Sequence, residues 1–117
     1  MGKQNKIISM NKVINVVLIC DNYDLAINIQ NILLDKKMIA GCQMMEINSK
    51  YFWNEELFNK TEYRIDMKTI DSLYKSIYDE VRKVHIYEVF ELSYYEINAN
   101  KEFITWVNEE VRQVTSI

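Results

Sequence analysis

Glu62-Tyr63-Arg64-Ile65-Asp66-Met67-Lys68 alternates without a break between charged and apolar side chains. A strand sends successive side chains to opposite faces, so one face here is apolar and the other fully charged. That pattern belongs to an antiparallel sheet with one face on a core and the other not.

Working upstream, Asn54-Glu55-Glu56 reads as a turn, and Lys50 to Leu57 as an aromatic hairpin carrying Tyr51-Phe52-Trp53. Met38 to Ile47 has strand character. From Asp24 to Lys37, Leu25, Ala26, Ile29, Ile32 and Leu33 recur at helical spacing. Asp21 and Asn22 supply cap chemistry at the start of that helix, and Lys36 and Lys37 suit the dipole of its last turn. Val13 to Cys20 is a nearly continuous β-branched run, as expected of a central strand. Residues 1–12 are polar with scattered lysines and read as a loose N-terminal arm. Residues 13–117 read as a single domain.

Working downstream, Asp71 is placed to cap a second helix with a stripe of Tyr74, Ile77, Tyr78, Val81 and Val84. A strand is expected from about Tyr87 to Tyr94. Asn98-Ala99-Asn100 then leads into a last helix, with Phe103, Trp106, Val107 and Val111 on its buried side. The order is β-α-β-β-α-β plus a C-terminal helix. This is an α+β, ferredoxin-like arrangement with an antiparallel sheet, its helices on one face and its other face uncovered.

Whole-chain properties narrow the function. Among 117 residues, 49% are apolar and the net charge is −3, which argues against a general nucleic-acid or anionic-membrane binder. No apolar run approaches the roughly 20 residues of a membrane span. Cys20 and Cys42 lie in apolar runs and form no CxxC pair, so they read as reduced, buried thiols of a cytoplasmic protein. Ile39-Ala40-Gly41-Cys42 has the look of a lipoprotein cleavage box, but charged Asp35-Lys36-Lys37 stands where the apolar region should be. With no proline and two glycines, turns fall to Asn, Asp and Ser. The single histidine, His85, opens His85-Ile86-Tyr87-Glu88-Val89-Phe90 at a helix-to-strand joint, where chemistry near neutral pH could start.

From about Val16 to Val111 the chain resembles the CutA family of divalent-cation-tolerance proteins. The resemblance is carried by six pieces in order. Val17-Leu18-Ile19-Cys20-Asp21 matches the opening strand and acidic turn. Ile39-Ala40-Gly41-Cys42 is similar to Leu-Ala-Ala-Cys, and Tyr51-Phe52-Trp53 to a Tyr-x-Trp hairpin. Lys68-Thr69 matches a Lys-Thr, and His85 to Glu91 resembles His-Pro-Tyr-Glu-Val-Pro-Glu. Ala99-Asn100 with Phe103-Ile104-Thr105-Trp106-Val107 is similar to the closing pattern. Both signature prolines are replaced, by Ile86 and Phe90, and the glycines of the hairpin are absent.

The resemblance implies a tight homotrimer, architecturally related to PII signalling proteins and associated with copper and other divalent cations. Three sheets facing one another would cover their own open faces. Arg64 and Asp66 would then have to pair with each other or across subunits. Some members bring a strand-end cysteine and a His-His pair to the metal. Here the second histidine is His85, the first is Val84, and Cys20 falls one residue off the cysteine position, which Ile19 holds.

The implied metal set is therefore His85, Cys20 and Glu88, against a plainer reading of His85 as a structural histidine bound to a backbone carbonyl. Tyr51, Trp53, Lys68 and Tyr87 are expected to line an inter-subunit cleft. In the expected strand, His85 and Tyr87 share one side and Glu88 the other. The principal expectation is a homotrimer that binds copper, another divalent cation or a small ligand, without catalysis. A PII-like small-ligand scaffold without metal is the alternative. An RNA-binding module of the same element order would need aromatics and positive charge on its central strands, and Glu62 to Lys68 offers one aromatic and mixed charge. Nothing legible in the sequence asks for an enzyme: there is no glycine-rich anion loop and no Ser-His-Asp order.

Overall fold

In the computed structural model of the chain, residues 10–113 are described. Residues 1–9 of the expected arm lie outside them. Asn11 and Lys12 are tied to the body: the Asn11 N–H donates to Asn108 Oδ1 at 2.8 Å, and the Lys12 carbonyl accepts from the Asp71 N–H at 3.0 Å.

The elements run β1 (Val13–Cys20), α1 (Tyr23–Asp35), β2 (Gly41–Trp53), β3 (Glu56–Ile70), α2 (Tyr74–Val84), β4 (Leu92–Glu96) and α3 (Lys101–Glu110). One turn of 3₁₀ helix, Asp71–Leu73, joins β3 to α2. The sheet order is β2-β3-β1-β4, with every neighbouring pair antiparallel. β1 and β2 are thus parallel but separated by β3, which is the split β-α-β of the ferredoxin-like fold.

Register sorts the side chains. Leu18 opposite Ile65 and Val16 opposite Met67 are fully buried on the helix side. They meet Ala26, Ile29 and Leu33 of α1 and Ile77 and Val81 of α2 in one core cluster. Each large aliphatic side chain buried there contributes about 1.5–3 kcal/mol. On the other face, Asn15 stands opposite Lys68, Val17 opposite Asp66 and Ile19 opposite Arg64. The expected pairing of charges forms within the chain. Arg64 Nε and Nη2 donate to Asp66 Oδ2 and Oδ1, both at 3.1 Å. Buried Asn15 donates to Asp66 at 2.8 Å and accepts from Lys68 Nζ at 2.7 Å. This face is not wholly bare: α3 packs on one end, joining Val107 and Val111 to Val13 and Ile70 in the core cluster.

Several sequence expectations shift. α1 is capped by Asn22, whose Oδ1 accepts from the Leu25 N–H at 2.7 Å, but the helix stops at Asp35. Lys37 takes a left-handed φ of 54°, and the Met38 N–H reaches back to Leu33 O at 2.9 Å in a Schellman closure. Lys36 therefore lies beyond the last turn and bridges to Glu80 of α2 at 3.0 Å. Asp71 makes no side-chain cap, because the 3₁₀ turn begins on it. Trp106 is exposed rather than buried, its ring lying over Gly41. Tyr78 is exposed as well.

The largest shift is in β4. It starts at Leu92, not Tyr87, so residues 85–91 form an irregular loop and strand alternation does not govern them. The hairpin also exceeds expectation. β1 covers β3 only from Tyr63 to Ile70, leaving Ile47–Trp53 and Glu56–Glu62 paired solely with each other. The result is a two-stranded ribbon in a body 56 Å long. Its turn holds Asn54 and Glu55 at φ 50° and 65°, the two positive values of a type I′ turn.

Candidate functional site

The ribbon and the 85–91 loop enclose a groove. α2 delivers the loop: the His85 N–H closes the helix on Val81 O at 2.8 Å, and His85 then turns extended at φ −75°, ψ 128°. Its ring is buried. Nε2 lies 2.9 Å from the carbonyl of Ile19, and Nδ1 accepts from the Tyr87 N–H at 3.2 Å. A carbonyl can only accept and an N–H only donate, so the ring carries its proton on Nε2 and is neutral.

That turn swings Tyr87 toward the ribbon. The Tyr87 hydroxyl accepts from Lys60 Nζ at 3.0 Å and donates to Glu62 Oε2 at 3.2 Å. Burial, the Tyr51 hydroxyl and the carboxylates of Asp21 and Glu62 push the phenol well above the ordinary tyrosine range, so it stays protonated. Glu62 is itself buried, and one buried oxygen of Asp21 finds no hydrogen-bond partner among the described residues.

A cavity of about 310 Å³ opens between Tyr51, Trp53, Phe58 and Lys60 of the ribbon and Ile86, Tyr87, Glu88 and Val89 of the loop. Tyr51 stacks on Phe58 with centroids 5.6 Å apart. A second concavity, about 450 Å³, shares Tyr51, Tyr87 and Val89 and continues along the sheet to Ile19 and Arg64. Of the expected cleft residues, Tyr51, Trp53 and Tyr87 meet here, with Glu88 on the rim. Lys68 does not join them. It bonds Asn15 and lines a separate hollow of about 250 Å³ with Phe103 and Trp106. Phe58, Lys60, Ile86 and Val89 were missed. Extending the charged alternation two residues upstream of Glu62 would have found Lys60.

The implied metal set does not fit within one chain. Both nitrogens of His85 are engaged by the backbone. Burial, with the charges of Asp21 and Glu62, pushes the Cys20 thiol up to about 12, whereas a metal needs the thiolate. Glu88 is exposed on the groove rim. Among the described residues, no three His, Cys, Asp or Glu side chains are grouped to hold a metal ion.

The CutA1 divalent ion tolerance family model matches residues 14–110. The chain belongs to the CutA1 family. It is 38% identical over 77 residues to a probable divalent-cation tolerance protein cutA homolog of Encephalitozoon cuniculi, covering 65% of this chain and 68% of that protein. It is 33% identical over 91 residues to the divalent-cation tolerance protein CutA of Thermotoga maritima, covering 77% and 90%. Among solved structures, CutA1 of Ehrlichia chaffeensis superposes with a TM-score of 0.80 at 33% identity, over 86% of this chain and 96% of that one. The fold is also that of Oryza sativa CutA1, with a TM-score of 0.85 at 22% identity over 91% and 100%. Among the described residues, no helix is long and apolar enough to cross a membrane.

Proposed function

We propose that this CutA1-family chain is a homotrimeric, non-catalytic binding protein that takes its ligand in the groove between ribbon and loop. One observation carries the reading. The ribbon extends past β1 with seven cross-strand pairs and, among the described residues, no third strand, yet it exposes Phe52, Trp53 and Leu57. A two-stranded hairpin alone is marginal in water and needs packing on at least one face. Ile86 and Val89 add exposed apolar surface on the opposite wall. Copies of the same chain would cover both and close the groove from outside, as an obligate interface rich in aromatics would.

The groove's aromatic walls and Lys60 suit a small organic ligand better than copper, because the Cys20 thiol is buried and kept protonated and both nitrogens of His85 are already bonded. A divalent cation, which the names of the relatives evoke, would have to rely on oxygen donors such as Glu88 and on those of a neighbouring subunit. A cytoplasmic setting is compatible with the two thiols, which the fold keeps apart in any compartment. Register puts Cys20 and Cys42 two strands and four residues apart, about 16 Å, beyond any disulfide.

Sedimentation equilibrium of Phe52→Ser/Leu57→Ser beside the wild type tests the assembly. The reading expects the wild-type trimer to weaken or dissociate in the variant. A wild-type monomer would overturn it.

A further inference from the structure

The loop wall of the groove has no covalent restraint. Residues 85–91 contain neither proline nor glycine and adopt neither helix nor strand. The loop's two ends are tied to β1, by His85 to the Ile19 carbonyl and by the Glu91 carbonyl to the Ile19 N–H, and the carbonyls between are gathered by one side chain behind them. Arg82, in the last turn of α2, donates from Nη2 to the carbonyls of His85 at 3.0 Å and Tyr87 at 2.7 Å. Nη1 donates to the carbonyl of Glu88 at 3.3 Å. The same guanidinium lies over the Phe90 ring, Cζ to centroid 4.6 Å. Phe90 in turn stacks on His85, with centroids 4.5 Å apart and planes 13° from parallel. His85 anchors the pile to β1 through Ile19.

Each layer needs its residue type. A guanidinium spreads its donors over a wide planar fork that can reach three carbonyls while its face lies over a ring; the three donors of an ammonium radiate from one atom and have no such face. The carbonyls would otherwise be left to solvent on a chain free to move.

We propose that Arg82 is the positioning residue of the groove. It clamps the loop from behind, and so fixes Tyr87 and Val89 against the ribbon. The clamp does by hydrogen bonding what prolines at Ile86 and Phe90 would do covalently. The proposal rests on the groove reading above only for its purpose, not for its geometry.

Amide hydrogen exchange on the full chain, with no ligand present, tests it. The reporter is the Tyr87 N–H, which the clamp holds against His85 Nδ1. In Arg82→Lys and Arg82→Gln this amide should exchange roughly tenfold to a hundredfold faster, while the core amides of Val16 and Leu18 keep their rates. Adding Ile86→Pro to Arg82→Lys should restore most of the protection. His85 already has the extended backbone required before proline, and Ile86 is exposed. Unchanged exchange at Tyr87 in both variants would overturn the proposal. So would equal acceleration of the core amides, which would make Arg82 a general stabiliser of α2. Acceleration that proline fails to reverse would count against it too. Because no ligand is involved, the result stands apart from what the groove binds.

Discussion

His85 Nε2 and the carbonyl of Ile19 lie 2.9 Å apart, which fastens the loop after α2 to the central strand β1. With Nδ1 taken by the Tyr87 N–H, the ring has no lone pair to offer a metal. His85→Ala is therefore expected to cost stability, about 2–4 kcal/mol from the lost hydrogen bond and the cavity left beside Phe90, measured by urea unfolding. Calorimetric titration with copper(II) should show no weaker binding in the variant than in wild type. A tight copper site that disappears with His85 would contradict this.

The Arg64–Asp66 pair predicts a pH dependence. Burial pushes the Asp66 carboxyl up, but hydrogen bonds from Arg64 and Asn15 outweigh it and hold the group below the ordinary carboxylate range. A depressed carboxyl contributes stability that is full above its unfolded pKa and lost as pH falls through its folded one. Asp66→Asn should cost about 1–2 kcal/mol at pH 7. The gap between the two proteins should begin to narrow below about pH 4 and close only once the pH has fallen through the depressed folded value, where both carry a neutral group. A gap independent of pH would show that the carboxylate charge is not what matters.

Cys20 should be inert in the native state. Its thiol is pushed up to about 12, leaving about one thiolate in ten thousand at pH 8. A disulfide reagent at pH 8 should modify Cys20 only at the rate of unfolding. Fast native-state labelling of Cys20 would contradict the buried strand end.

Glu55 stands at φ 65° in a type I′ turn, where glycine is the favoured second residue. Glu55→Gly should raise stability by about 1 kcal/mol by removing the Cβ from a left-handed position. A decrease would mean that the Glu55 side chain supports the ribbon tip.

The sheet was legible because its signals were local. The alternation from Glu62 to Lys68 assigned faces, and the β-branched run from Val13 placed the central strand. Even the Arg64–Asp66 pair could be anticipated, since two charges two residues apart on one face have few other partners. The loop at 85–91 was misread because Tyr87, Val89 and Phe90 have strand propensity, and nothing local shows that Arg82 will claim three of the carbonyls a strand would use. Lys68 was assigned to the groove on the strength of its family motif. Its true partner, Asn15, is 53 residues away and visible only through register. Within one chain the metal set does not come together, for a similar reason. Ring nitrogens and thiols were counted by type, while their availability depends on Ile19 O and on burial.

The central claim is that copies of this chain cover the ribbon and close the groove. Light scattering of the full chain eluting from a gel-filtration column at micromolar concentration tests it most directly. Three chains of 14.0 kDa predict a single species of about 42 kDa. A species of 14.0 kDa would contradict the account, because the exposed ribbon and the groove would then stand in water on their own.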